Sequence, residues 1–338
     1  MRKYFGVGII ALLILVLAAC GEKSKEDVVK KLEQSVEEMS GYQAEATMSL
    51  KTGEESQTYK IDVSHKKKDF YRVLLKNEQD KEGSQIILRN KDGVFVLTPA
   101  LNKSFKFQSD WPNNSSQPYL YQSLVKDVLD NSDATFKSTE KYYVFETKTN
   151  YQNNNNLPYQ EIYFDKKSYT PVAVKVLDKD KNPLVEVDFS KFEIDPKFAN
   201  DTFEIESNMT SSLFGIPVMA GEETNQQLSV LYPNEKMGAE LVEEKEAETE
   251  NGKRVMLSYE GEKNFTLVQE KVSAYPTSAA APESVTGNPV SLGFTMAAQS
   301  ASSLEWSFNG VNYYLASEDL TKDEMVTVAK SVVGQSVK

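Results

Sequence analysis

The chain of 338 residues carries one cysteine, Cys20, and one histidine, His65. A single thiol cannot close an intrachain disulfide, and a lone imidazole leaves Ser-His-Asp and Cys-His arrangements without their usual base. A glycine-rich phosphate loop is missing as well, since Gly6-Val7-Gly8 lies inside an apolar N-terminal run and not between a strand and a helix. Positive charge is scarce: 38 Lys and Arg face 50 Asp and Glu, a formal net charge of -12. Nucleic acid and anionic bilayers are therefore excluded as general partners, because counterion release needs clustered cations. With no disulfide or thiolate metal site to staple it, the fold must be held by a core.

The N-terminus has a clear design. Arg2 and Lys3 precede an apolar run from Val7 to Leu17 that ends in Ala18, Ala19 and Cys20. A basic segment, an apolar segment and small residues at the end make a secretory signal. Tyr4 to Ala19 would be roughly 24 Å as a helix, short of a hydrocarbon core of about 30 Å, so cleavage is favoured over a membrane span. Leu17-Ala18-Ala19-Cys20 resembles the bacterial lipoprotein signal, which implies that residues 1–19 are removed and Cys20 becomes a lipidated N-terminus. Two acyl chains suffice for stable anchoring. Loss of Arg2 and Lys3 takes the basic count from 38 to 36 against 50 acids, a mature net charge of -14.

Past the anchor, Ser24 caps a helix with Glu26 and Asp27 in its first turn, and Val28, Leu32, Val36 and Met39 share one face before Gly41. The period then changes from 3.6 to 2. Tyr42, Ala44, Ala46, Met48 and Leu50 alternate with polar residues, as do Tyr59, Ile61 and Val63, and then Tyr71, Val73 and Leu75. Further strands are predicted at 84–90 and 93–98, joined through Asp92-Gly93, and at 103–108. A second helix is predicted over 117–130, with Pro118 in its first turn and Leu120, Leu124 and Val128 spaced by four. Strands resume at 141–149, 159–165, 172–176 and 185–189, and residues 192–205 close the unit.

Ser, Gly, Pro and Thr gather near 209–227 without periodicity, which places a linker at 211–227 between a unit of residues 20–210 and a smaller one of 228–338. In the second unit, 240–248, 254–260 and 264–272 form a meander. Residues 275–303 are predicted to be a long mobile loop, and 304–308 with 311–316 a hairpin. Thr321 and Glu324 form a capping box for a last helix carrying Met325, Val328, Ala329 and Val332 on one face.

No constellation points to catalysis or a cofactor. Asp178-Lys179-Asp180-Lys181-Asn182 opens like a calcium loop, but Pro183 stands where glycine is required and Phe189 where the bidentate glutamate belongs. Glu243, Glu244, Glu246 and Glu248 read as a solvated face, and Lys66, Lys67 and Lys68 as a turn that lipid headgroups could also touch. No metal site is predicted, and His65 is given a structural place at a strand end.

The run Lys66-Lys67-Lys68-Asp69-Phe70-Tyr71-Arg72, followed by Asn90-Lys91-Asp92-Gly93-Val94-Phe95-Val96-Leu97-Thr98-Pro99, resembles the core of the LolA/LolB-type lipoprotein carrier superfamily. Phe192-Glu193-Ile194-Asp195 with Asp201-Thr202-Phe203 is similar to that family's closing segment, so the resemblance covers about residues 24–206. It implies a mainly β, α+β chain: a half-open antiparallel barrel of about eleven strands, with helices plugging its mouth and an apolar cavity for acyl chains. Leu231-Tyr232-Pro233, Leu257-Ser258-Tyr259, Glu305-Trp306 and Tyr313-Tyr314-Leu315 resemble a small α+β domain of extracytoplasmic regulators in Gram-positive bacteria. Together the halves look like LolA-like lipoproteins of endospore formers, which implies a role in sporulation. The resemblance is to soluble shuttles, whereas this chain carries an anchor signal.

The expected function is therefore a non-enzymatic lipoprotein, tethered on the outer face of the cell membrane, that binds a lipid or lipoprotein acyl chain. The expected lining is Tyr42, Ala44, Ala46, Met48, Leu50, Tyr59, Ile61, Val63, Tyr71 and Val73. Small Ala44 and Ala46 with pliable Met48 leave adaptable room for a flexible chain. Periodicity alone does not separate a hollow barrel from a filled one, so a protein-interaction or sensory lipoprotein with a closed barrel stays open as the alternative, its partner unspecified. For the anchor, Cys20→Ala is expected to release the protein from membranes or leave an unprocessed precursor in fractionation and intact-mass measurements. Unchanged processing and membrane retention would contradict lipidation at Cys20.

Overall fold

The structure, a computed structural model, describes residues 22–52, 55–77, 84–99, 102–107, 109–113, 115–151, 157–209, 228–249, 252–271, 283–285, 288–292, 295–308 and 310–332. Cys20, the signal segment and the 211–227 linker lie outside the described residues. In chain order the elements begin with helix α1 (Lys25–Glu38) and strands β1 (Gly41–Thr52), β2 (Glu55–Lys66), β3 (Phe70–Asn77), β4 (Gln85–Asn90), β5 (Gly93–Thr98) and β6 (Lys103–Phe107). Helix α2 (Tyr121–Asp130) follows, then β7 (Thr135–Ser138), β8 (Tyr142–Lys148), β9 (Tyr159–Asp165), β10 (Pro171–Leu177), β11 (Pro183–Ile194) and the single turn α3 (Ile205–Asn208). The C-terminal part holds β12 (Ala239–Thr249), β13 (Gly252–Gly261), β14 (Phe265–Lys271), β15 (Glu283–Val285), β16 (Asn288–Ser291), β17 (Met296–Gln299), β18 (Ser303–Phe308), β19 (Val311–Ala316) and helix α4 (Lys322–Val332).

Strands β1 to β11 form one antiparallel sheet in the order β6-β5-β4-β3-β2-β1-β11-β10-β9-β8-β7, to which β15 adds a parallel twelfth strand beside β6. The terminal strands β15 and β7 do not pair with each other, so the sheet remains open. The long central β1 pairs along its whole length with β2, from Gly41 opposite Lys66 to Thr52 opposite Glu55, and with β11 on its other side. Gly41 is needed where β1 starts, because a Cβ there would lie 2.3 Å from the backbone oxygen of His65. The predicted Asp92-Gly93 turn is present, with Gly93 at φ 138°, which an L side chain rarely adopts.

The two faces of this sheet are closed differently. The inner face is covered by α1, α2 and the 109–120 segment, and its side chains belong to the main core. On β3 to β5 the outer face is dry too: Leu74, Ile86, Leu88, Phe95 and Leu97 pack under Phe198, Phe203 and Ile205, and Arg72 Nε donates to Asn208 Oδ1 at 2.6 Å. Burial on both faces explains the unbroken apolar run Ile86-Ile87-Leu88. Helix α1 carries the expected cap, with Ser24 Oγ accepting from Asp27 N at 3.2 Å while Asp27 Oδ2 accepts from Ser24 N at 3.3 Å. Its Val28 and Leu32 are fully buried.

A second antiparallel sheet, in the order β12-β13-β14-β19-β18-β17-β16, is backed by α4. Its core stacks Trp306 on Tyr313, with ring centres 5.1 Å apart, and Tyr259 on Phe265 at 4.5 Å. The Thr321–Glu324 capping box closes as expected, with Thr321 Oγ1 donating to Glu324 Oε2 at 2.8 Å and accepting from Glu324 N at 3.3 Å.

Two expectations are corrected, and one strand is added. The second helix begins at Tyr121 and not at 117: residues 117–120 form a turn, and the backbone N–H of Gln117 donates to Ser123 Oγ at 2.7 Å. The segment 275–303 contains β15, β16 and β17, and in β17 the small Ala297 and Ala298 are buried in one core cluster with Trp306 and Leu304. β7, a four-residue edge strand of alternating exposure, escaped the periodicity argument.

The two sheets meet through specific polar contacts. Gln85, buried at the start of β4, donates from Nε2 to the Met296 carbonyl at 3.3 Å and accepts the Met296 N–H on Oε1 at 2.6 Å. Lys103 and Glu305 form an ion pair at 3.2 Å. Gln85→Ala would leave both Met296 backbone groups unpaired in the interior, so a loss of about 1–3 kcal/mol is expected in denaturant unfolding. A change below about 0.5 kcal/mol, the range of surface substitutions, would show that this contact does not couple the sheets.

Candidate ligand-binding site

The ten residues expected to line a cavity are all buried, and strand register places them side by side on the inner face. Ala44 lies opposite Val63, Ala46 opposite Ile61 and Met48 opposite Tyr59, while Val63 in turn faces Val73. On the other side of β1, Ala44 meets Phe192, Ala46 meets Phe189 and Met48 meets Val187. A bulge between Glu45 and Ala46 bends β1 where the two small residues sit.

One end of this face is a closed aromatic floor. Phe192 stacks on Tyr42 with ring centres 4.9 Å apart, Tyr42 contacts His65 at 5.4 Å, His65 stacks on Tyr71 at 4.4 Å, and Trp111 meets Tyr71 edge-on at 5.7 Å. Helix α2 seals it: Tyr121 packs edge-on against Tyr42 and Phe192, its N–H donates to Tyr42 Oη at 3.2 Å, and its hydroxyl donates to the Tyr169 carbonyl at 2.9 Å. Burial removes both charges from this layer. It pushes the Tyr42 and Tyr71 phenols up and brings His65 down to about 4. Neutral His65 donates from Nδ1 to the Phe70 carbonyl at 3.1 Å, which makes it a structural imidazole, as its solitary place in the sequence suggests.

Exposure stays low along the whole face: 0 % at Tyr42, 7 % at Met48, 5 % at Leu50 and 8 % at Leu75.

The sequence reading missed a polar cluster beside α2. Asp127 is buried there, and Gln160 Nε2 donates to its Oδ2 at 2.6 Å. Burial raises the Asp127 carboxyl to about 6, against the lowering effect of hydrogen bonds from Gln160 and Ser116. A cavity of about 220 Å³ adjoins it, between Pro112, Asn113, Ser115, α2 and Asn150. Nothing in the sequence marks this cluster, because Asp127 between Lys126 and Asp130 looks like an ordinary polar helix face. Among the described residues no group of His, Cys, Asp and Glu is arranged to hold a metal ion, and no helix is long and apolar enough to cross a membrane.

Residues 2–203 match the family described as sporulation protein YdcC-like. The sporulation protein YdcC of Bacillus subtilis (strain 168) is 50% identical over 340 residues, covering 100% of this chain and 99% of the relative. The chain belongs to the YdcC-like family. The family match ends at residue 203, and the identity to the Bacillus subtilis relative runs on through the C-terminal sheet. Among solved structures, the chain is similar to MucB at 14% identity, covering 92% of this chain and 98% of that one, with a TM-score of 0.36. It is also similar to a LolA superfamily protein from Nitrosomonas europaea at 10% identity, covering 55% and 100%, with a TM-score of 0.30. Likeness at that level carries nothing about ligand or partner.

The raised Asp127 carboxyl sets a pH dependence. A carboxyl whose folded pKa lies above its unfolded value favours the fold below the unfolded value and loses that advantage as pH rises through the folded one, here from about 4 to about 6. Asp127→Asn, which keeps an acceptor for Gln160, is expected to be more stable than the parent by about 1–3 kcal/mol above pH 7. That difference should shrink toward zero as pH falls through 6 to 4. Equal differences at pH 4.5 and pH 8 would show that Asp127 is not held as described.

Proposed function

We propose that this YdcC-like protein is a membrane-tethered binder of acyl chains, from lipid or lipoprotein, that acts in sporulation outside the cytoplasmic membrane and performs no chemistry on its ligand. One observation carries the reading: a continuous apolar inner face on an open antiparallel sheet, sealed at one end by an aromatic floor. An acyl chain entering from the opposite end would run along Ala44 and Ala46, the smallest residues of the face, between Val63, Ile61 and Phe189 on the flanking strands. Each buried methylene contributes about 0.8 kcal/mol, so half an acyl chain already gives useful affinity. The lipobox-like Leu17-Ala18-Ala19-Cys20 supports the tether, with only a few residues between Cys20 and α1.

Ala46→Trp and Met48→Trp test the reading. In a hollow sheet an indole takes the ligand's place, so uptake of a fluorescent fatty acid should be lost with little change in melting temperature. In a close-packed core the same change overpacks and costs about 1–3 kcal/mol or more. A strongly destabilised variant, or one that binds as the parent does, would refute this placement and favour a closed barrel that serves as an interaction module.

A further inference from the structure

The acyl-binding reading makes no use of the polar compartment beside α2. Asn113, Ser115, Gln122, Ser123, Asp127 and Asn150 contribute to the walls of its cavity of about 220 Å³. That is below the roughly 300–1,000 Å³ of a site for a whole drug-sized ligand, and suits a head group. Its polar atoms are short of partners. Both Nε2 and Oε1 of Gln122 are buried without a hydrogen bond, and so are Oε1 of Gln160 and Oγ1 of Thr147 behind Asp127. Gln160 is fully buried and Thr147 nearly so. A native fold rarely keeps this many unpaired polar groups together unless water or a ligand completes them.

The polar groups behind the compartment share one cross-strand row with the apolar face. Leu50 on β1 lies opposite Val185, Val185 opposite Val176, Val176 opposite Gln160 and Gln160 opposite Thr147. This single cross-strand row is apolar at β1 and polar at β8, where it reaches Asp127 through the Gln160 amide. An amphipathic row calls for an amphipathic ligand.

Donors and acceptors decide which head fits. On the cavity wall Gln122 Oε1 and the Asp127 carboxyl seek donors, whereas Gln122 Nε2 seeks an acceptor. A phosphate supplies only acceptors and brings negative charge to Asp127 and Asp130, and the one cation on the cavity wall, Lys126, is already ion-paired to Asp130. An ammonium supplies only donors. Hydroxyl groups do both. We propose that this compartment binds the neutral, hydroxyl-bearing head, glycerol or sugar, of a lipid whose chain lies along the inner face; the assignment rests on the acyl-binding reading.

The test compares 1-monooleoylglycerol with methyl oleate, uncharged ligands with the same chain that differ in two hydroxyls. The parent protein is expected to bind the glycerol ester about tenfold more tightly. Gln122→Leu, which fits the helix and removes both unpaired atoms, should abolish that preference and leave methyl oleate binding unchanged. Asp127→Asn provides a second variant and should reduce the preference. Free glycerol at the same concentration should not displace the ester. Equal binding of the two esters by the parent, an unchanged preference in both variants, or displacement by free glycerol would overturn the lipid-head assignment while leaving acyl binding intact. Binding of neither ester would overturn the acyl-binding reading, and this assignment with it.

Discussion

The structure depends on the pairing of β1 along both its edges. Because β1 lies between β2 and β11, it joins the β2–β6 half of the sheet to the β11–β7 half. Its start is fixed by the close approach of Gly41 to the His65 carbonyl and by Asp195, whose Oδ1 accepts from Ser40 N at 2.6 Å and from Ser40 Oγ at 2.7 Å. Those bonds hold the Asp195 carboxyl below the usual range. A slip of one residue in this register would turn Tyr42, Ala44, Ala46, Met48 and Leu50 to the outer face together. Register at β1 therefore determines whether an apolar inner face exists at all.

Two different solutions then close that face. At the Tyr42 end, rings interlock and Tyr121 ties helix α2 to the floor by hydrogen bonds to both Tyr42 and the Tyr169 carbonyl, so the packing is fixed and neutral. At the Met48 end the face carries Met48, Leu50, Tyr59 and Leu75, and the cross-strand row that starts at Leu50 ends in polar Gln160 and Thr147.

Much of this was legible from residue order alone. Period-2 alternation announced β1, β2 and β3 with the right residues inward; Ser24 with Asp27 and Thr321 with Glu324 marked two helix starts; Asp92-Gly93 marked a hairpin. These signals are local, and local chemistry decides them. What stayed hidden depends on partners far along the chain. The amide of Gln85 clamps Met296, and that of Gln269 pairs with both backbone groups of Leu231 at 2.9 and 2.6 Å. Gln160 reaches Asp127 across 33 residues. A glutamine in a strand gives no sign of which backbone it will satisfy. The Ala- and Ser-rich stretch near 296–299 looked like a loop because small residues carry little hydrophobic signal, yet small size is what lets β17 lie against the core.

The account's central claim is that the inner face is a ligand site and not merely a core. Native mass spectrometry of the full chain, expressed in its own host and purified without detergent, tests this most directly. The account predicts a population carrying added mass equal to one acyl lipid, lost in Ala46→Trp while the variant remains folded. A single ligand-free mass for the parent protein, under conditions that keep a known lipid carrier loaded, would contradict it.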